Sequence, residues 1–407
     1  RMDDARAGKT FWKALGPGLL WAGAAVGVSH LVQSTRAGAS FGFGLIGVVV
    51  LANVFKYPAF SFGPRYAAAT GTSLLEGYRR RGRWALVLYA VLTAGTMLTV
   101  QAAVTVVTGA LAAAGLGWTE PWLGQVPAFW LSIALTATCA GMLLVGHYGW
   151  LDRIVKVVVV VLTLSTVTAT ILALPRVDWS SARLWPSAAI RNDPAAVFFV
   201  VAVVGWMPSA FDISVWHSLW TLARRRQTGH APSVREALLD FDIGYLGTVL
   251  LALCFLTLGA AVMFGTGEKF SESGAGFAAQ VIALYSRSLG SWSEPLIGLS
   301  AFTVMFSTTL TVIDGFPRAI AGLVARFVEP ETPDHPTGFS RRVYWGAIVV
   351  LGVGALLVIR FGAAAFQDLI DLATTLSFLT APALAWLNHR AMFGAEVPRE
   401  HRPGRAM

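Results

Sequence analysis

The chain has 407 residues, of which 55% are hydrophobic and 13% are charged, and its formal net charge is +9. A soluble domain carries roughly twice this fraction of charged residues, so the composition predicts a polytopic membrane protein. The basic residues lie between hydrophobic stretches rather than on one face, and we therefore expect no nucleic-acid partner. Both cysteines, Cys139 and Cys254, lie within apolar stretches, where packing is a better explanation than a disulfide or a metal site.

Ten apolar runs are long enough to cross a bilayer, which takes about 20 residues in a helix. The predicted spans are approximately 14–40, 43–66, 84–114, 122–146, 150–173, 194–222, 238–264, 294–325, 343–359 and 364–388. We expect one transmembrane domain over residues 1–407, with tails at 1–13 and 389–407. In the loop at 265–293, Phe277, Val281, Ile282 and Tyr285 have the spacing of a short amphipathic helix.

The distribution of basic residues predicts the orientation in the membrane. With the N-terminus inside, the cytoplasmic segments hold 23 Lys and Arg residues and the outer segments hold 6. Cytoplasmic loops of membrane proteins carry such an excess of positive charge. We therefore expect a multi-pass protein of the cell membrane, in bacteria the inner membrane, with both termini in the cytoplasm.

Two of the predicted spans are interrupted near their middle. The first span breaks at 27–30 and the sixth breaks at 207–210, where Met207 and Pro208 stand. A break in a membrane helix leaves backbone groups unpaired, which hydrocarbon tolerates only where they line a cavity or bind something. Two such breaks about half a chain apart are typical of a transporter whose substrate binds at the bilayer midplane.

The ten spans divide into two sets of five. The first repeat covers about 14–173 and the second about 194–388, and each repeat opens with a broken helix. An odd number of spans gives the two repeats opposite topologies, which is the inverted-repeat arrangement of many secondary transporters. The expected fold is thus all-α, with a 5+5 inverted repeat.

Ionisable side chains inside membrane spans are costly and are treated as functional candidates. The candidates are His30, Lys56, Asp212, His217, Asp314, Asp368 and Asp371. Each also has a structural explanation. Numbering the predicted spans as helices 1 to 10 in chain order, Asp212 could cap the second half of helix 6, His30 could donate to a freed carbonyl, and Lys56 could pair with a buried acid. His217 lies between two tryptophans and could be packed, while Asp368 and Asp371 could lie at headgroup level.

The residues of the two breaks suggest a binding site. His30, Met207 and Asp212 offer nitrogen, sulfur and oxygen donors, a combination that suits a borderline transition metal such as Mn, Fe or Co. The predicted substrate-binding residues are Gly27, Ser29, His30, Met207, Ser209 and Asp212. The predicted coupling or proton path consists of Lys56, Ser307, Thr308, Thr311, Asp314 and His217. The hydroxyl groups of helix 8 have a second explanation, since they could form ordinary hydrogen bonds between helices.

Four stretches resemble the Nramp family of divalent metal transporters. They are GPGLL at Gly16–Leu20, the end of helix 1 at Arg36–Phe43, the run Thr70–Glu76 and the pair Met207 and Pro208. The resemblance implies a LeuT-like fold, a substrate site between helices 1 and 6, and metal import coupled to protons. It implies no cofactor, because the metal is cargo.

The sequence departs from the family pattern at the site itself. Nramp proteins carry Asp-Pro-Gly-Asn in the helix 1 break, and Gly27 stands here in the position of that aspartate while His30 replaces the asparagine. The methionine is retained as Met207. After Met-Pro the family has a histidine, whereas this chain has Ser209 and, three residues later, Asp212. These changes indicate a divergent member.

Two functions therefore remain open. The first is a secondary active transporter of a divalent metal ion, a symporter coupled to protons or sodium. The second is a transporter of a small anion or organic solute, such as bicarbonate, a carboxylate or an amino acid, on the same scaffold. Direct pairing of Lys56 with Asp212 would favour the second. No nucleophile–base motif or phosphate loop predicts an enzyme. We expect membrane lipid as the surroundings and a monomer.

Overall fold

The computed structural model describes residues 15–117, 125–145, 148–177, 179–180, 182–328, 338–362 and 366–404. These residues are mostly helical and contain no strand. The helices are α1 Pro17–Ala25, α2 Thr35–Phe41, α3 Ile46–Thr70, α4 Leu74–Arg81, α5 Arg83–Gly115, α6 Gln125–Val145, α7 Tyr148–Ala173, α8 Ala188–Asn192, α9 Pro194–Gly205, α10 Ile213–Thr228, α11 Val234–Val262, α12 Gly274–Leu289, α13 Glu294–Val328, α14 Gly338–Phe361 and α15 Phe366–Met392. A π-helical turn, Ser29–Ser34, joins α1 to α2, and the predicted tail at 1–13 lies outside the described residues.

Every predicted span corresponds to a helix or to a pair of helices. Among the described residues, six helices are long and apolar enough to cross a membrane: α3, α5, α11, α13 with its preceding turn, α14 and α15. Three shorter apolar stretches lie at Phe129–Val145, Val160–Arg176 and Pro194–Gly205. The predicted amphipathic helix is confirmed as α12, which buries Phe277 and Tyr285.

Both predicted breaks are confirmed. In the first span, α1 ends at Ala25 and the π-helical turn begins at Ser29. In the sixth, α9 ends at Gly205 and α10 begins at Ile213. The backbone groups at these four ends lack partners within their own helices, so other parts of the protein must supply them.

The broken helices lie in the interior of the bundle. Helix α11 packs against α1, α2 and α3, while α15 packs against α9 and α5. Glycines permit the closest of these approaches. A Cβ atom at Gly38 of α2 would lie 1.9 Å from the Leu256 carbonyl oxygen of α11, and one at Gly205 would lie 1.9 Å from that of Thr374 in α15. Small residues of this kind let membrane helices pack backbone to backbone.

The two described ends of the chain lie on the same face of the bundle. The Gly16 amide donates to Asp240 near the start of α11. Gly71, at the end of α3, lies beside the Arg225 guanidinium of α10, so the α3–α4 turn belongs to this face. Near the C-terminus, Glu396 pairs with Arg81 at the end of α4. We refer to this face as the terminal face and to the other as the opposite face.

The contact at Gly38 gives a test of the packing. Gly38→Ala places a methyl group inside the van der Waals radius of the Leu256 carbonyl, and we expect it to lower the free energy of unfolding by at least about 1–3 kcal/mol. The matched control is Gly95→Ala in α5, where no atom lies within 4 Å of the added Cβ. Thermal unfolding in detergent measures both, and equal stability of the two variants would contradict the packing described.

Candidate functional site

The carboxyl end of α9 is held by a lysine from α3. The Lys56 ammonium donates to the carbonyl oxygens of Val204 and Gly205, at 2.5 and 3.1 Å. Both carbonyls belong to the last turn of α9 before the helix 6 break, and that of Val204 also accepts a hydrogen bond from the Met207 amide at 3.2 Å. A cation at this position also compensates the negative end of the helix dipole. Lys56 therefore stabilises the first side of the break.

The amino end of α10 is preceded by a carboxylate. Asp212 is 1% exposed, and its Oδ1 accepts a hydrogen bond from Thr93 Oγ1 of α5 at 3.0 Å. Its Oδ2 has no hydrogen-bond partner, and neither has the buried Tyr89 hydroxyl, also on α5. A buried, unpaired carboxylate oxygen is costly unless a cation or a proton compensates it. Asp212 makes no side-chain hydrogen bond that caps α10, so the predicted cap is not formed.

Lys56 and Asp212 do not form a pair. The lysine is bound to two backbone carbonyls and the aspartate to a threonine, at the two different ends of the helix 6 break. Each charge has the sign that complements its helix end. The alternative in which Lys56 neutralises Asp212 by direct contact is therefore not what the structure contains.

His30 is bound on both ring nitrogens. Its Nε2 lies 2.9 Å from the Thr248 carbonyl oxygen of α11, and its Nδ1 lies 2.7 Å from Ser29 Oγ. Because a carbonyl only accepts, Nε2 carries a proton and donates it to Thr248. Ser29 Oγ also lies 3.2 Å from the Pro208 carbonyl oxygen, so the two breaks are in contact here. The histidine thus connects the first break to α11.

The three predicted metal donors have separate surroundings. Met207 is fully buried in an apolar cluster with residues such as Val49 and Leu256, whereas Asp212 contacts α5 and His30 contacts α11. In the described part of the chain, no three His, Cys, Asp or Glu side chains are placed to hold one metal ion.

Gly27 and Ser209 complete the predicted binding residues. Gly27 faces helix α13, where a Cβ atom would lie 3.0 Å from Thr308 Cγ2. Ser209 is half-buried. A side chain at position 27, such as an aspartate, would press against Thr308, so the packing of this chain favours glycine there.

The hydroxyl groups of α13 have distinct partners. Thr308 Oγ1 lies 3.0 Å from the Gly23 carbonyl oxygen of α1 and 3.1 Å from the Val304 carbonyl oxygen of its own helix, and its single proton is donated to one of the two. Thr311 donates to the Ser307 carbonyl oxygen within α13. Only Thr308 among these predicted coupling residues is seen to reach the first broken helix.

Two other predicted coupling residues differ in how they are satisfied. Both oxygens of Asp314 are held by Arg318, and Tyr344 of α14 donates to one of them at 2.6 Å. His217 is fully buried against the Phe241 ring, and neither of its ring nitrogens has a hydrogen-bond partner. Asp314 is thus paired with Arg318, whereas His217 retains two polar atoms without a hydrogen bond.

An ion pair joins the second half of helix 1 to α15. Arg36 holds both oxygens of Asp371, at 2.7 and 3.0 Å, and Gln33 donates to the same carboxylate. The Arg36 and Asp371 side chains are 11% and 15% exposed, so water screens this pair little. Gln33 also reaches Thr374 of α15. This cluster closes the bundle between helix 1 and α15 on the opposite face.

The terminal face is closed by different contacts. The Asp240 carboxylate accepts from the amides of Gly16 and Gly18, at 3.0 and 2.6 Å, and so holds the free amino end of α1. On the same face, burial raises the pKa of Glu76 in α4, but hydrogen bonds from Arg79 and Arg80 outweigh this effect, so the pKa lies below its ordinary value.

Some of the residues that contact the breaks were not predicted from the sequence. Thr93 and Thr248 gave no signal, because threonines are common in membrane helices and only the tertiary contacts single them out. Gln33 could have been recognised from its spacing, because it lies three residues after His30 and three before Arg36, which places all three on one face of a helix.

Comparison with known proteins identifies the family. The sequence profile described as "Natural resistance-associated macrophage protein-like" (Nramp) matches residues 18–404. The chain belongs to the Nramp family. A Pasteurella multocida protein described only as uncharacterized is 37% identical over 92% of this chain and 84% of its own length. The divalent metal cation transporter MntH of Latilactobacillus sakei is 24% identical over 78% of this chain and 72% of its own length.

Solved structures support the LeuT-like fold. A variant of the Eremococcus coleocola manganese transporter superposes with a TM-score of 0.68 at 15% identity, covering 98% of this chain and 83% of the other. MhsT in complex with L-phenylalanine superposes with a TM-score of 0.61 at 14% identity, covering 93% and 88%. This Nramp protein is thus a multi-pass membrane transporter and not an enzyme.

The Arg36–Asp371 pair gives a second test. Asp371→Asn keeps the shape of the side chain but removes its charge, and we expect the opposite face to open more often. A charge-assisted contact of this kind contributes about 1.5–3 kcal/mol, so thiol labelling of a cysteine at Ser377 should accelerate about tenfold or more. Cys139 and Cys254 are first replaced by alanine.

The control for this test is Asp368→Asn, which makes the same chemical change at an exposed position of α15. Its labelling rate should equal that of the parent protein. Unchanged labelling in Asp371→Asn would show that the ion pair does not hold the opposite face closed.

Proposed function

We propose that this Nramp protein is a secondary active transporter that moves a divalent metal ion by alternating access. The observation that carries the proposal is the unpartnered Oδ2 of Asp212, buried at a break in helix 6 that contacts the break in helix 1. It is a negative group inside the bundle that forms no ion pair with any residue the structure describes. The MntH relatives, named as divalent metal cation transporters, support a metal as the cargo.

Alternating access needs closures on both faces that open in turn. Arg36 with Asp371 provides one on the opposite face, and Asp240 with the amides of Gly16 and Gly18 provides one on the terminal face. Breaking the second set frees the amino end of α1 from α11. We assign the terminal face to the cytoplasm, because the Arg-rich segments around Arg80 and Arg225 lie on it.

Transport is coupled to protons or to sodium in this proposal. Thr308 supports sodium, since its hydroxyl and the Gly23 carbonyl are the kinds of oxygen ligand that hard cations prefer. Asp212 supports protons, since an unpaired carboxylate oxygen is able to accept one.

Flux in sodium-free buffer distinguishes sodium coupling from proton coupling. If sodium is coupled, flux falls below about a tenth without sodium, and Thr308→Val reduces the sodium dependence. If protons are coupled, sodium removal has no effect.

The second candidate is a transporter of a small anion or organic solute. It is favoured by Lys56, whose ammonium places a positive charge at the helix 6 break, and by Gly27, which removes a carboxylate from the helix 1 break. The half-helix amino ends would then attract a carboxylate.

Metal uptake into proteoliposomes tests the first candidate. We expect wild-type protein to take up Mn²⁺ and Asp212→Asn to lose at least about 90% of that uptake, because the change removes the negative charge from the break. Asp368→Asn is the control, since it removes an exposed carboxylate from α15 and should leave uptake unchanged. Wild-type vesicles that take up bicarbonate or an amino acid but no Mn²⁺ would establish the second candidate instead.

A further inference from the structure

The end of α9 has the features of a cation site that is already filled. Two adjacent carbonyl oxygens, of Val204 and Gly205, point to one position beside the helix 6 break, and the Lys56 nitrogen lies there. Backbone carbonyls at the end of an unwound membrane helix are the groups with which transporters and channels coordinate small cations.

The ammonium group has no carboxylate partner within the described residues, and its other close contact is the Phe211 ring, whose centroid is 5.8 Å away. Phe211 stacks on Phe60 at 4.4 Å, so the ring is fixed in place. Carbonyl dipoles and the face of an aromatic ring therefore stabilise the charge. Carbonyl oxygens and an aromatic face are groups that hold a free cation, whereas an ion pair would place a carboxylate beside the ammonium.

We propose that Lys56 is a tethered cation that occupies a cation-binding position at the end of α9, and that it limits the affinity of the transporter for metal cargo. The formal charge of Asp212 and Lys56 together is zero, which offers little compensation for the dehydration of a divalent ion. A metal ion that uses the Val204 and Gly205 carbonyls binds only after the ammonium leaves them.

The inference rests on the proposed function in one respect, namely that the cargo is a cation. It adds a specificity-determining residue that lies on α3, outside both broken helices. The four-carbon stem of lysine allows the ammonium to withdraw while staying attached, so that the position is vacated and refilled within one transport cycle.

Binding of Mn²⁺ to purified protein in detergent tests this inference. Lys56→Met removes the charge and keeps a flexible chain of similar length. Lys56→Gln also removes the charge, but its amide still donates to the carbonyls and protects the fold if the methionine variant is unstable. We expect both variants to bind Mn²⁺ about ten- to a hundredfold more tightly than the wild type, the range that one charge-assisted contact spans.

Two controls separate this effect from a general loss of charge. Lys269→Met removes a positive charge from an exposed position in a loop and should leave the affinity unchanged. Lys56→Arg keeps the charge at the break and should not raise the affinity. The gain in melting temperature on adding Mn²⁺ is a second readout, and it should be larger in Lys56→Met and Lys56→Gln than in wild type.

The outcomes distinguish the tethered cation from the proposed transport of a metal. Tighter binding in both neutral variants supports the tethered cation. If both neutral variants bind Mn²⁺ and the wild type does not, Lys56 excludes Mn²⁺ from the site, which supports the tethered cation and contradicts Mn²⁺, but not another cation, as the cargo of the wild type. Wild-type binding that the neutral variants match or fall below overturns the tethered cation and leaves metal transport standing. Silence of all the proteins with Mn²⁺ overturns both.

Discussion

Unwound backbone at the centre of a membrane helix must find hydrogen-bond partners inside the protein, and this requirement organises the whole structure. The hydrocarbon of the bilayer contains no water that could bind the backbone groups freed near Ala25 and Gly205, so neighbouring helices supply the hydrogen-bond partners. Lys56 from α3 satisfies the end of α9, and Thr308 from α13 reaches the Gly23 carbonyl near the end of α1. The breaks are therefore tolerated only because helices far apart in the sequence pack around them.

The same interactions that stabilise the breaks would also determine what binds there in the proposed function. Lys56 fixes α9 but adds a positive charge to the middle of the protein, while Asp212 adds a negative charge that the structure leaves half satisfied. An Nramp protein with these two charged side chains differs from one whose helix 1 carries a carboxylate, because Gly27 contributes no charge. In the proposed transporter, stability and specificity thus depend on the same few side chains at the break.

The interruption of helices 1 and 6 also makes the two faces of the bundle separable. Each half-helix is held by its own contact: Asp240 binds the amino end of α1, and Asp371 binds Arg36 beyond the first break. Because the chain between them is not a rigid helix, one contact is able to break without straining the other. In the proposed transport cycle, this is how the bundle would open towards one side at a time.

By itself the sequence determined the class of protein, the ten spans, the positions of both breaks and the family. These follow from hydrophobic length and from Gly and Pro within apolar runs, which are local properties of the chain. Only the tertiary structure decided that Lys56 binds the carbonyls of α9 rather than Asp212, that His30 is held by Thr248, and that Thr93 contacts Asp212. Those partners are 119 to 218 residues apart, and the direction of a buried side chain depends on which helices pack beside it, which no local pattern encodes.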